Sequence, residues 1–153
     1  MGDCVYFLTL CLENGQRGLD NPALFDASVK LLQGIEKTAS IEMLALVHML
    51  DHLHLLIRLS QESSLPNLVR IFKGRMSPTL RKSNLRWQRS YHDRRLRKSD
   101  PIDVVLRYML MNPYRKGLLD PRKEWPYLIC SPKAKHWLDQ TEGTNLPLPE
   151  WLL

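Results

Sequence analysis

The chain has 153 residues, a length that fits one domain with its own hydrophobic core. Its 22 Lys and Arg residues outnumber 16 acids, so the formal net charge of +6 favours a polyanionic partner. Three cysteines without a CxxC pair argue against a disulfide framework and against a cysteine zinc site. Since no apolar run approaches the roughly 20 residues that span a bilayer, we predict a cytoplasmic protein with no membrane partner.

Apolar stretches and the residues that interrupt them predict the elements in chain order. They are a strand over residues 5–12, a helix opened by Asn21-Pro22, strands over 41–47 and 53–59, a helix opened by Ser63-Ser64 and kinked at Pro78, a strand or ordered loop over 87–96, and a helix opened by Ser99-Asp100-Pro101 and stopped by Asn112-Pro113. From about residue 114 we expect an irregular segment packed on the domain. This order predicts an α+β fold, an antiparallel sheet with helices packed on one face.

Residues 66–98 form a basic segment that holds eleven of the cations and a single acid, Asp93. Cations track phosphates and aromatic rings stack on bases, so this composition is typical of a surface for single-stranded nucleic acid. The predicted DNA-binding residues are Arg70, Lys73, Arg81, Arg86, Trp87, Arg89, Tyr91, Arg94 and Arg97. The alternative is a solvated basic face beside ordinary core aromatics.

His52 and His54 are the sharpest local feature. Side chains alternate along a strand, so these two imidazoles point to the same face and can share one metal ion. His48 would join them if the strand ran unbroken, but a turn near Leu50 would prevent this. The alternative interpretation is a pair of half-exposed polar residues on a sheet face.

Tyr108 and Asn112 lie one turn apart on the last predicted helix and are therefore neighbours. A tyrosine hydroxyl can attack phosphorus to form a covalent phosphotyrosine, although a phenol needs help from a nearby metal ion at neutral pH. Asn112 could give that metal an oxygen ligand. The alternative is a partly buried helix tyrosine followed by a helix-ending asparagine, and Tyr91 is a rival nucleophile.

With these residues in place, the chain resembles the His-hydrophobe-His single-tyrosine transposases of the simplest insertion sequences, most of all their REP-associated branch. Five pieces carry the resemblance, in the family's order and spacing, over roughly residues 5 to 128. They are Tyr6-Phe7-Leu8-Thr9, Met49-Leu50-Asp51-His52-Leu53-His54-Leu55-Leu56, Trp87-Gln88-Arg89-Ser90-Tyr91-His92-Asp93, Leu96-Arg97, and Tyr108-Met109-Leu110-Met111-Asn112-Pro113 with Gly117-Leu118.

The resemblance implies a ferredoxin-like sheet and a divalent metal, Mg²⁺ or Mn²⁺, held by His52 and His54. It makes Tyr108 the nucleophile and Asn112 its metal-side neighbour, and it gives Tyr91 a structural or DNA-contacting role. The chain departs from the family at three positions. Leu50 replaces a usual Pro, His48 replaces an aliphatic residue and adds a possible stray ligand, and Arg94 replaces a usual His.

The resemblance also implies the reaction. We expect cleavage and rejoining of single-stranded DNA, in particular of hairpin-forming strands, through a 5′-phosphotyrosine, by a monomer or a homodimer. The chain has no Walker-type glycine loop, which agrees with a reaction that needs no ATP. The alternative is a catalytically silent regulator that binds single-stranded or hairpin DNA. An RNA-binding domain on a similar sheet ranks last, because the predicted strands carry no aromatic-rich RNA-binding motif.

Overall fold

The computed structural model describes residues 3–140, and the side chains of residues 3–138. In chain order the strands and helices are β1 (Cys4–Cys11), α1 (Pro22–Thr38), β2 (Ile41–His48), β3 (His52–Leu59), α2 (Leu65–Lys82), β4 (His92–Leu96), α3 (Ile102–Arg115), β5 (Leu128–Cys130) and α4 (Pro132–Gln140). The five strands form one antiparallel sheet in the order β4-β1-β3-β2-β5. Within residues 3–140, no helix has the length and apolarity that crossing a bilayer requires.

The first two helices begin where the sequence predicts. The Asn21 side chain caps α1 by accepting hydrogen bonds from the backbone N–H groups of Ala23 and Leu24. Ser64 caps α2 in the same way, by accepting from the N–H of Asn67. Helix α2 continues through Pro78 and ends at Lys82.

The two faces of the sheet are covered by different helices. Residues of α1 and α2, such as Leu32 and Phe72, pack on one face against Leu8 and Leu55. Residues of α3 and α4 pack on the other face, together with Phe7, Leu44 and Leu56. The α+β class and the antiparallel sheet are confirmed, but the prediction that helices pack on one face holds for α1 and α2 alone. We call the two sides the α2 face and the α3 face.

The last part of the chain is more regular than predicted. Helix α3 begins at Ile102, with Pro101 as the capping residue, and the Asp100 carboxylate instead accepts a hydrogen bond from the N–H of Arg97. The helix does not stop at Asn112 but continues through Pro113 to Arg115. The segment from residue 114, expected to be irregular, contains β5 and α4, and residues 141–153 of it lie outside the described residues.

His48, the possible stray metal ligand, points to the α2 face, away from His52 and His54. It is fully buried, and its Nδ1 lies 2.9 Å from the carbonyl oxygen of Leu19 while its Nε2 lies 3.0 Å from the hydroxyl of Ser28. The carbonyl can only accept, so Nδ1 carries a proton. Burial lowers the pKa of His48 to about 4, against the opposing hydrogen bond to Leu19. The expectation of a stray ligand is therefore wrong.

The buried neutral ring of His48 predicts an acid-sensitive fold. Its pKa is about 4 in the folded chain and near 6.5 when unfolded, so the unfolded chain binds more protons between these values. We expect the stabilisation that comes from the neutral His48 ring to be fully present above pH 6.5. Its loss should lower the free energy of unfolding by about 3 kcal/mol as the pH drops towards 4. Urea titrations of wild type and His48→Asn across this range measure the effect.

The variant His48→Asn retains an N–H donor for Leu19 but cannot titrate, so its stability should depend less on pH than that of wild type. His136→Asn, at an exposed position of α4, is the matched histidine control and should keep the wild-type profile. Identical profiles for wild type and His48→Asn would contradict the assignment.

Candidate active site

The two histidines begin strand β3, directly after a tight turn. The backbone N–H of Met49 donates to the carbonyl of His52 and closes the hairpin with β2. His52 and His54 then point to the α3 face, and their ring centroids lie 4.7 Å apart with the planes at 72°. The predicted pair is thus brought together as the alternation of a strand requires.

The Nδ1 atom of each imidazole is held by a neighbouring side chain. His52 Nδ1 donates to the carboxylate of Asp51 at 2.6 Å, and His54 Nδ1 is hydrogen-bonded to the hydroxyl of Thr9 at 3.0 Å. Thr9 is the cross-strand partner of His54 in β1. These bonds fix the orientations of both rings through Nδ1.

The electrostatics of this cluster favour a neutral imidazole beside a charged carboxylate. His54 is 6% exposed and stacks on the ring of Phe7. Burial, with repulsion from His52 and Arg115, lowers the pKa of His54 to about 3. Partial burial acts to raise the pKa of Asp51, but its hydrogen bond with His52 and the charge of Arg17 outweigh this and lower it. At neutral pH His54 can therefore offer a lone pair.

Helix α3 brings Tyr108 to the same place. The buried residues Val105, Leu106 and Met109 pack this helix on the sheet, and the half-buried Tyr108 ring lies 6.4 Å from the ring of His54. Asn112 follows one turn later and is 2% exposed. Two sequence-predicted groups from distant parts of the chain thus meet, with a phenol beside an imidazole.

Arg115 belongs to this cluster and was missed in the sequence. Its guanidinium carbon lies 3.9 Å from the centroid of the Tyr108 ring, and its Nη2 donates to the Tyr108 carbonyl at 3.0 Å and to Asn112 Oδ1 at 3.4 Å. A helix that continues to residue 115 places this side chain on the same face as Tyr108 and Asn112. The predicted stop at Asn112 concealed that spacing.

The residues suit a metal ion with few protein ligands. No group of three or more His, Cys, Asp or Glu residues able to hold a metal occurs in the part of the chain that the structure describes. Two imidazoles that share a face, each oriented through Nδ1, could nevertheless provide two nitrogen ligands and leave the other coordination positions open. Asn112, whose Oδ1 accepts from Arg115, is the nearby residue of α3 with a carboxamide oxygen.

A shallow basic pocket adjoins His52. Its volume is about 380 Å³, and Arg17 and Lys116 line it together with Asp51 and His52. Arg17 comes from the loop after β1 and Lys116 from the end of α3. Both lie outside the basic segment of residues 66–98. The site therefore has its own positive rim.

Comparison with known proteins agrees with this geometry. A family model described as IS200-like transposase matches residues 2–112. The chain belongs to the IS200-like transposase family. No curated protein sequence matches it significantly.

Two solved structures share the fold of this IS200-like chain. A REP-associated tyrosine transposase bound to a REP hairpin has 18% sequence identity and a TM-score of 0.71, and the match covers 84% of this chain and 77% of that one. A candidate transposase from Deinococcus radiodurans R1 has 20% identity and a TM-score of 0.54, with 73% and 92% covered. At these identities the likeness shows the fold and leaves the residue roles to the geometry.

The basic segment of this transposase-family chain does not gather around the histidines. Trp87 and Tyr91 pack on the α2 face, where Arg70, Lys73 and Arg89 line the same depression of about 440 Å³. A second depression beside Trp87 is lined by the remaining predicted cations of this side, Arg81 and Arg86.

Two of the predicted DNA-binding residues lie elsewhere. Arg94 is paired with Phe7 in β1, so it points to the α3 face, where it lines a small depression with Thr9 and His92. Arg97 lines a separate depression near Asp3.

Tyr91, the rival nucleophile, lies on the opposite side of the sheet from His52 and His54. Its ring packs against the core of the α2 face and lies over the amino group of Lys73. Partial burial and the neighbouring Asp93 raise its pKa, which makes its phenolate less available. Both observations favour Tyr108 as the nucleophile.

Lys73 has a structural role in the loop before β4. Its Nζ donates to the carbonyl oxygens of Gln88 at 2.8 Å and Ser90 at 3.0 Å. The ammonium group is thus already engaged with the backbone. Its neighbour one turn earlier, Arg70, is exposed and donates a hydrogen bond to the side chain of Asn67 at 2.8 Å.

Replacement of Lys73 by Met should loosen residues 88–91, because two charge-assisted hydrogen bonds are lost. We expect the free energy of unfolding to fall by about 1–3 kcal/mol. Urea denaturation measures this change, and amide hydrogen exchange should show faster exchange in residues 88–91. The matched control Arg70→Met should change stability by less than about 0.5 kcal/mol. Equal effects of the two substitutions would contradict a special role for Lys73.

Proposed function

We propose that this chain cuts and rejoins single-stranded DNA, with Tyr108 as the nucleophile and a 5′-phosphotyrosine as the intermediate. The single observation that carries the proposal is the meeting of Tyr108 with His54, whose rings lie 6.4 Å apart although they belong to α3 and β3. A structural tyrosine would not require a neighbouring pair of imidazoles oriented through Nδ1 by Asp51 and Thr9.

The reaction conserves the energy of the phosphodiester bond. The Tyr108 hydroxyl attacks phosphorus, an Oη–P bond forms and the P–O3′ bond breaks. The phenol proton passes to solvent, and O3′ takes a proton from solvent and leaves as a hydroxyl. A 3′-hydroxyl of another DNA end then attacks the same phosphorus and releases the phenol. One phosphodiester is consumed and one is made, so no nucleotide cofactor is needed.

Nε2 of His52 and Nε2 of His54 would hold a divalent ion, Mg²⁺ or Mn²⁺, with the Asn112 carboxamide beside them. When bound, such an ion withdraws charge from the phosphate under attack. The neutral state of His54 at physiological pH supports this role, because a protonated imidazole cannot bind a metal.

The proposed substrate is a single strand next to a hairpin. One protein with this fold is bound to a REP hairpin, and the basic depressions found here would suit the phosphates of such a DNA. Arg94 points to the α3 face and would hold phosphates close to Thr9 and His54, while the cations around Trp87 would hold a more distant part of the DNA.

The second candidate function is a regulator that binds DNA without cutting it. The observation that favours it is the position of most of the basic segment on the α2 face, where binding would not depend on Tyr108. The two functions differ in whether chelators and a Tyr108 substitution have any effect.

The direct test is a covalent adduct. Single-stranded DNA from either side of the chain's own gene, mixed with the protein and Mn²⁺, should give a protein–DNA band on a denaturing gel. We expect Tyr108→Phe to abolish the band, because it removes the attacking oxygen and retains the ring. Tyr91→Phe is the matched control and should retain the band.

Chelator should abolish the adduct, and a fully double-stranded substrate should not form one. Loss of the adduct in Tyr91→Phe alone would move the nucleophile to the basic segment. Absence of any adduct, with tight binding that chelator does not change, would establish the regulator instead.

Metal affinity provides a separate prediction. Thr9→Val removes the hydroxyl that orients His54, with little change in volume, so Mn²⁺ should bind about 10-fold to 100-fold more weakly. Isothermal titration with MnCl₂ in the absence of DNA measures this affinity. Thr38→Val, at an exposed end of α1, is the control and should bind Mn²⁺ as wild type does. Equal affinity in the two variants would argue against a site at His54.

A further inference from the structure

Arg115 is a cation without an acidic partner beside the proposed nucleophile. Arg58 pairs with Glu42 at 3.0 Å and Arg122 pairs with Asp120 at 2.8 Å, so these two arginines are neutralised. Among residues 3–138, whose side chains are described, no carboxylate forms an ion pair with Arg115. Its contacts are the Tyr108 ring, the Tyr108 carbonyl and Asn112 Oδ1.

These contacts hold the guanidinium in a defined orientation and leave donors unused. A guanidinium has five N–H groups, and both of the hydrogen bonds that Arg115 makes come from Nη2. Nη1 and Nε are therefore available to an anion. Stacking over the Tyr108 ring, 3.9 Å from its centroid, places this charge next to the phenol. The charge also reaches His54, whose pKa it helps to lower.

We propose that Arg115 binds the phosphate that Tyr108 attacks and holds the Tyr108 ring in the orientation for attack. This inference rests on the proposed function and adds a residue to it. Planar N–H groups suit the non-bridging oxygens of a phosphate, and a fixed cation stabilises the charge that builds on these oxygens during the transfer. The cation is already held in place by Tyr108 and Asn112, so little reorganisation is needed when DNA binds.

A purely structural role is the competing explanation. Arg115 is the last residue of α3, and a cation at a helix C-terminus interacts favourably with the free carbonyl groups there. Such a role would affect the stability of the chain but would be insensitive to the charge of one phosphate in the DNA. The experiment therefore varies both the arginine and that phosphate.

Binding is measured in the Tyr108→Phe background, which retains the ring and removes the chemistry. The DNA probe is a single-stranded oligonucleotide that contains the linkage at which the wild-type adduct maps, either as a normal phosphate or as an uncharged methylphosphonate. Adding Arg115→Met should weaken binding of the phosphate probe about 10-fold and leave binding of the methylphosphonate probe unchanged. Arg122→Met, which removes a paired arginine outside the site, should alter neither.

The rate of the reaction provides the second measurement. With Tyr108 intact and saturating DNA, Arg115→Met should slow adduct formation by about 100-fold, in line with the loss of one fixed donor at a transition state. Arg115→Lys retains the charge without the planar fork and should recover part of the rate. If Arg115→Met lowers the thermal unfolding midpoint, Arg115→Lys becomes the test variant, because it preserves a cation at the end of α3.

The outcomes separate the two proposals. A normal wild-type adduct, with equal losses of binding to the charged and uncharged probes in Arg115→Met, would show a structural arginine and overturn the inference alone. A normal adduct rate in Arg115→Met and Arg115→Lys would do the same. No adduct in wild type would remove the proposed function and this inference with it.

Discussion

The pairing of β1 with β3 fixes the position and orientation of the two histidines of the candidate site. The two strands are in register over their full length, from Cys4 opposite Leu59 to Cys11 opposite His52. This register puts Thr9 beside His54 and sends both to the α3 face, while the alternate leucines enter the core of the α2 face. Because side chains alternate, a slip of one residue would bury the histidines under α1 and α2, so the hydrophobic pattern specifies the register strongly.

Arg115 joins the candidate site because helix α3 does not stop where its sequence suggests. Pro113 lacks a backbone N–H and usually ends or bends a helix, yet α3 continues one turn beyond Asn112. The buried contacts of Val105, Leu106 and Met109 hold the helix on the sheet, and tertiary packing of this kind outweighs local propensity. The extra turn places the Arg115 guanidinium over the Tyr108 ring, so the phenol lies beside a positive charge.

Most of the predicted DNA-binding cations lie on the opposite face of the sheet from the histidines and Tyr108. The aromatic and basic loop before β4 is tied to α2 by Lys73, whereas the imidazoles and the phenol lie under α3. Strand β4 joins the two regions, since Arg94 points to the α3 face while the loop that precedes β4 packs on the α2 face. A DNA strand that used both surfaces would have to pass around this edge of the sheet.

The sequence by itself determined strands β1, β2 and β3, the first two helices, the shared face of His52 and His54, and the pairing of Tyr108 with Asn112, because each follows from a local period of two or 3.6 residues. The tertiary structure alone decided which groups from different elements meet. It brought Thr9 to His54 and removed His48 to the opposite face. It also divided the helices between two faces, since helix placement depends on long-range packing that no local period encodes.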